Sequence, residues 1–266
     1  MSGSPSSSPT ARPAPRGRVA ALALLGALAL TALVLAVEIV LAVNAEYLPT
    51  EPALMIDRRV GPPGIGSPLR LAVLGDSTAA GVGAAGIGQS LPVQVAERVA
   101  AERGQPVEVV GFGVSGARMA DVATEQARLL DERAFDVVLV VVGSNDATHA
   151  TPPWDVEEQA VAVLRAVRQA SGAPVVLGGV PEFTTVPALA QPLRWVVGRY
   201  AGVVREGQRR AVAAVDGASF VDIAAEASPR FLGVPESMSS DGFHPSAVGY
   251  GFWADALAPA VVEAAR

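Results

Sequence analysis

The sequence predicts a three-layer α/β/α domain, a doubly wound parallel sheet of about five strands, preceded by one N-terminal transmembrane helix. Three observations lead there. From Leu69 onward, short apolar runs alternate with longer helical stretches, as in a sheet whose strands are joined by crossover helices. Three of those runs are β-branched and lack polar alternation, which suits strands covered on both faces. Finally, Val19 to Val37 runs without a charge, and apolar residues continue past Glu38 to Val43. That exceeds the roughly 20 residues needed to cross a bilayer core.

Residues 1–18 are rich in Ser, Pro and Arg and bury too little apolar surface to fold, so a disordered tail is expected there. Arg12, Arg16 and Arg18 precede the apolar helix at 19–43, and no comparable cluster follows it. This predicts a cytoplasmic N-terminus, a single-pass signal anchor in the cell membrane, and everything downstream outside the cytoplasm. The competing outcome is a cleaved signal peptide, with Val43-Asn44-Ala45 as its small-residue site and a secreted product. The apolar region is longer than the roughly 7–15 residues usual for signal peptides, which favours the anchor. Residues 44–68 contain several prolines and glycines and read as a linker.

The domain then spans residues 69–266. Strands are expected at Leu71–Leu74, Pro106–Val110, Phe135–Val142, Pro174–Leu177 and Ser219–Ile223. Helices are expected at Leu91–Arg103, Met119–Arg133, Val156–Ala170, Leu189–Val215 and Ser246–Ala265, with Asp121 and Asp155 placed to cap helix starts. Composition narrows the function classes. The chain has no cysteine, which removes disulfides, thiolate chemistry and cysteine zinc sites. All 20 basic residues are arginine, and beyond residue 18 the chain has 17 of them against 26 acids, a net charge of about -9. An acidic domain without a basic stripe is a poor partner for nucleic acid.

In a sheet of this type, functional groups gather at the carboxyl ends of the strands. The first strand ends in Gly75-Asp76-Ser77, the second in Gly111-Phe112-Gly113-Val114-Ser115-Gly116, and the third in Gly143-Ser144-Asn145-Asp146. Asp241-Gly242-Phe243-His244-Pro245 enters the last helix, with Gly249-Tyr250 downstream. Together these blocks resemble the SGNH (GDSL-type) hydrolases, a family of esterases and lipases with a flavodoxin-like sheet. The resemblance covers Leu69 to the C-terminus, with all four blocks in the family's order.

The resemblance implies Ser77 as nucleophile, His244 as general base and Asp241 as the acid that orients and stabilises the imidazolium. It implies an oxyanion hole from the N–H groups of Ser77 and Gly113 and the side-chain amide of Asn145, with no metal or organic cofactor. The expected partner is a small-molecule, lipid or O-acetylated glycan ester, handled by a monomer. An acyltransferase using the same site, or a silent glycan- or lipid-binding module of the same fold, are the alternatives. Two positions depart from the family pattern: Thr78 stands where a bulky apolar residue is usual, and Gly111 where Asn is usual.

Other features have simpler readings. Asp76 and Asp146 suit turns and caps, and His149 suits a loop. Gly113-Val114-Ser115-Gly116-Ala117 imitates a nucleophile elbow, with Asp216 or Asp222 as its acid. That reading leaves Gly143-Ser144-Asn145-Asp146 and the close Asp241/His244 pairing unexplained. Gly81-Val82-Gly83-Ala84-Ala85-Gly86 spells a dinucleotide fingerprint but begins too late after its strand, so a flexible pocket loop is expected there.

Overall fold

The computed structural model describes residues 16–51, 53–63 and 67–266, so most of the expected tail, residues 1–15, lies outside the described residues. The chain divides into two compact units between Asn44 and Ala45. In the first unit, α1 (Arg16–Val43) begins three residues before the expected 19. Its Val19–Val43 stretch is long and apolar enough to cross a membrane, and side chains such as Leu22, Leu25 and Leu33 are exposed.

The second unit is built on a six-stranded sheet. Its strands are β1 (Asp57–Val60), β2 (Leu69–Gly75), β3 (Val107–Gly111), β4 (Val137–Val141), β5 (Val175–Gly178) and β6 (Ala218–Val221). They lie in the order β1-β3-β2-β4-β5-β6. β2 to β6 are parallel, as the apolar runs predicted. The chain leaves β2 toward β3 on one side and β4 toward β5 on the other, which puts the topological switch point between β2 and β4.

Side-chain alternation divides the core into two layers. Leu71, Val73, Val137, Leu139 and Val141 join a buried cluster with Leu91, Val95 and Val99 of α2 (Leu91–Arg103) and Tyr250, Leu257 and Val261 of α8 (Ala247–Ala264). Ala72, Leu74, Val138 and Val140, also buried, point to the opposite face. That face belongs to α5 (Pro153–Ser171) and α6 (Leu193–Ala213), which pack on each other. The short helices α4 (Ser144–Thr148) and α7 (Ile223–Glu226) follow β4 and β6.

Two elements differ from expectation. The segment read as a linker supplies β1, which pairs antiparallel with β3 from Asp57↔Val110 to Val60↔Val107. An edge strand of sequence Asp-Arg-Arg-Val buries little and leaves no apolar signature, while the surrounding Pro and Gly suggested a tether. The helix expected over Met119–Arg133 is irregular. It starts as α3 (Met119–Asp121), passes through a π-helical turn (Val122–Gln126) and ends in a 3-10 stretch (Ala127–Glu132). The π turn presents Gln126, whose side chain donates to the Gly75 carbonyl at 2.8 Å and accepts from the Gly75 N–H at 2.9 Å.

Candidate active site

The site is assembled at the carboxyl ends of β2 and β4. β2 ends on Gly75, where φ is +145° and a Cβ would lie 1.8 Å from the Val141 carbonyl oxygen, so only glycine fits this close approach. The chain then turns through Asp76 and Ser77. The Asp76 carboxylate accepts from the Thr78 N–H at 3.0 Å and from the Thr78 hydroxyl at 2.8 Å. Thr78, which departs from the family pattern, is therefore the partner of the buried acid.

Ser77 is buried except at the cavity beside it. Its Oγ lies 3.1 Å from Nε2 of His244, 167 positions away in the chain. Nδ1 of His244 lies 2.7 Å from Oδ2 of Asp241. The Asp241 carboxylate also accepts from the N–H groups of Phe243 and His244 and from the Ser239 hydroxyl. A further bond comes from the Leu48 N–H at 3.2 Å. Burial alone would raise the pKa of Asp241, but the His244 ring and the N–H groups of His244, Phe243 and Leu48 outweigh it and hold the carboxyl well below its usual range.

An ionised carboxylate only accepts hydrogen bonds. The His244 proton therefore sits on Nδ1, leaving the Nε2 lone pair for the Ser77 hydroxyl. A serine hydrogen-bonded to an imidazole that an acid orients is arranged for nucleophilic attack.

Potential donors for a developing oxyanion lie close by. Among the described residues, the N–H groups of Ser77 and Gly113 have no protein acceptor. Gly113 packs directly on the 79–80 backbone, where a Cβ would come within 2.2 Å of the Ala80 nitrogen. Asn145, at the start of α4, spends one amide hydrogen on the Ala117 carbonyl at 3.0 Å, leaving the second for the cavity it lines. That cavity, about 50 Å³ or room for a few waters, runs from Ser77, Asn145 and His244 to Phe183, Phe231 and Trp253. Gly113 is not part of its lining.

Several residues outside the motif blocks support this arrangement. Gln126 holds both backbone groups of Gly75. Gln208, fully buried on α6, ties the Val142 carbonyl to the Val180 N–H across the ends of β4 and β5. Tyr250 buries its ring and donates to the Val82 carbonyl, and Gly249 lets α8 approach the Ser237 carbonyl, where a Cβ would come within 2.2 Å. Neither glutamine could be singled out in sequence, because its role depends on which strand end the fold brings to it.

The remaining expectations fall as follows. Asp146 caps a neighbouring element, accepting from the Met119 N–H and the Thr151 hydroxyl. His149 is absent from the Ser77 cavity lining, and its Nδ1 lies 2.9 Å from the Asn145 carbonyl. Ser115 borders a different pocket, with Asp121 and Glu125 and no histidine. The Gly81–Gly86 loop, expected as a flexible pocket loop, is absent from the Ser77 cavity lining. It lines a second cavity with Leu48, Pro49, Ser239 and Ser240, and a Cβ on Gly83 would meet the Pro245 carbonyl at 2.2 Å.

Comparison with known proteins gives a consistent result. The model of the GDSL-like lipase/acylhydrolase family matches residues 73–252. A GDSL-like esterase of Mycobacterium tuberculosis is 29% identical over 198 residues, which is 74% of this chain and 62% of that protein. The chain thus spans less than two thirds of that relative's length. The acetylxylan esterase Axe2 of Geobacillus stearothermophilus is 19% identical with a TM-score of 0.56, over 74% of this chain and 95% of that one. The hydrolase LAE5 from the Lake Arreo metagenome is also 19% identical, with a TM-score of 0.57 over 74% of this chain and 96% of that one. At such identities the likeness is one of fold.

Proposed function

The chain belongs to the GDSL-like lipase/acylhydrolase family, and on that premise we propose that it is a serine esterase working through an acyl-enzyme on Ser77. The observation that carries this reading is the unbroken chain of contacts from Ser77 Oγ through the His244 ring to Asp241. In the reaction, Ser77 Oγ attacks the ester carbonyl carbon while its proton passes to Nε2 of His244. Asp241 stabilises the imidazolium that results. The negative carbonyl oxygen is met by the Ser77 and Gly113 N–H groups and the Asn145 amide; one such donor typically contributes about 3 kcal/mol. Collapse expels the alcohol, which takes the proton from His244. Water then attacks the acyl-enzyme by the same route, releasing the acid and restoring the serine.

The confined cavity beside Ser77 favours a short acyl group, such as acetyl, over a long chain. Full-length protein in detergent should therefore hydrolyse p-nitrophenyl acetate faster than the octanoate, with activity falling in acid because the base must be neutral. Ser77→Ala should lower kcat by at least about 10³-fold, whereas Ser115→Ala should leave it within about twofold. Loss with Ser115→Ala but not with Ser77→Ala would overturn the assignment, and faster turnover of longer esters would overturn the short-acyl preference.

We further propose that residues 19–43 anchor the chain in the cell membrane, with the unit of residues 45–266 outside the cytoplasm. Support comes from the apolar span of α1 and the arginines that precede it. The native protein should stay in the membrane pellet after alkaline carbonate extraction. A soluble product whose sequence begins at Glu46 would instead establish cleavage after Ala45.

A further inference from the structure

Of the donors that hold Asp241, those from Ser239, Phe243 and His244 lie within three positions of it in the chain. The Leu48 N–H is different. It comes from 193 positions away, in a segment that precedes the family match at residues 73–252. The contact is not isolated. The Tyr47 ring meets Phe243 edge-on at 5.2 Å, and Phe243 meets the His244 ring in the same manner, also at 5.2 Å.

Further along, Leu54 and Ile56 lie over Gly81, at 3.1 and 3.7 Å from where its Cβ would be. The Ile56 carbonyl accepts from the Gly111 N–H at 2.8 Å, and β1 follows directly. A segment with the composition of a linker is thus fastened to the sheet at one end and to the Asp241–His244 turn at the other.

We propose that residues 47–51 and 53–56 act as a strap that positions the Asp241–His244 pair, with the Leu48 N–H moderating how strongly Asp241 supports the imidazolium. The proposal rests on the esterase reading of Ser77 and His244. Oδ2 of Asp241 accepts from both the Leu48 N–H and His244 Nδ1. A donor on that oxygen takes up part of its charge, so removing it leaves more charge facing the ring and makes the ring more basic. The other titratable groups near the pair are Asp76, close to His244, and the hydroxyls of Tyr47 and Tyr250, near Asp241. Glu182 lies in the cavity lining. None of them is itself substituted when Leu48 is changed, and Leu48→Ala leaves the backbone of Tyr47 unrestricted.

The test compares Leu48→Pro, which deletes the N–H, with Leu48→Ala, which keeps it and trims the side chain. Both are made in the full chain, in detergent, with p-nitrophenyl acetate as substrate. Leu48→Pro should lower kcat about tenfold, because the turn carrying Asp241 and His244 loses its tether and the base is held less well against Ser77. It should also move the acid limb of kcat/KM upward by roughly half to one pH unit. Leu48→Ala should leave that limb in place, and KM should change little in either.

If Leu48→Pro loses its cooperative melting transition, the comparison is repeated with Leu48 replaced by its α-hydroxy acid, which exchanges N–H for oxygen in the same backbone. Superimposable acid limbs for the N–H-deleted and parent proteins would overturn the strap. Retained activity in Ser77→Ala would instead overturn the esterase reading beneath it, so the two failures are distinguishable.

Discussion

Asp76 sits in the chain next to Ser77, almost fully buried, and its carboxyl is pushed up to about 6. Burial is the main cause and nearby Asp146 adds to it, while the two bonds from Thr78 and the proximity of His244 offset part of the rise. A folded value above the unfolded one means that the native state favours the neutral acid. The stability it lends is complete below the ordinary value of 3.8 and is lost as pH climbs through about 6. Asp76→Asn cannot ionise. Relative to the parent, it should gain about 2–3 kcal/mol of unfolding free energy between roughly pH 4 and pH 7. Urea denaturation at the two pH values measures this. An identical gap at both would show that Asp76 titrates as an ordinary carboxylate.

At the scale of elements, the Gly81–Gly86 loop is a wedge between β2 and the His244 turn. Gly83 has φ +94° with the Pro245 carbonyl where a side chain would begin. Gly83→Ala should cost about 2–3 kcal/mol, as strain at such positions does, and should reduce kcat by displacing His244. Thermal unfolding and the acetate assay together check this, and unchanged values in both would refute it.

The elements also show what the sequence discloses. Val137–Val141 and Val175–Leu177 are recognisable as strands because burial on both faces demands unbroken apolar runs. Ser77, Asn145 and His244 could be grouped from their blocks because each follows a strand or precedes a helix at the same end of the sheet. The Leu48 contact, β1 and the two glutamine clamps left no local trace. Each depends on a backbone group that only the folded chain brings within reach, and Asp57-Arg58-Arg59 has the composition of a surface loop.

At the scale of the whole molecule, the hydrolase unit is a sheet covered by helices on both faces, with its candidate site at the switch point between β2 and β4. β1 sets what this edge of the sheet presents to other chains. It occupies the outer edge of β3 and carries the exposed charges of Asp57, Arg58 and Arg59. Arg59 pairs with Glu108 and Asp57 with Arg133. Charged edge strands of this kind resist pairing with a neighbouring chain. A protein cut back to Leu69 would keep every motif residue yet lose β1, leaving the N–H and C=O row of Val107–Val110 open as a template. Such a fragment should self-associate at micromolar concentration, seen as growing light scattering. A chain beginning at Ala45 should stay monodisperse, and equal behaviour of the two would show that the β3 edge needs no cover. If the two differ as expected, four residues with the look of a tether are what keeps this sheet from aggregating edge to edge.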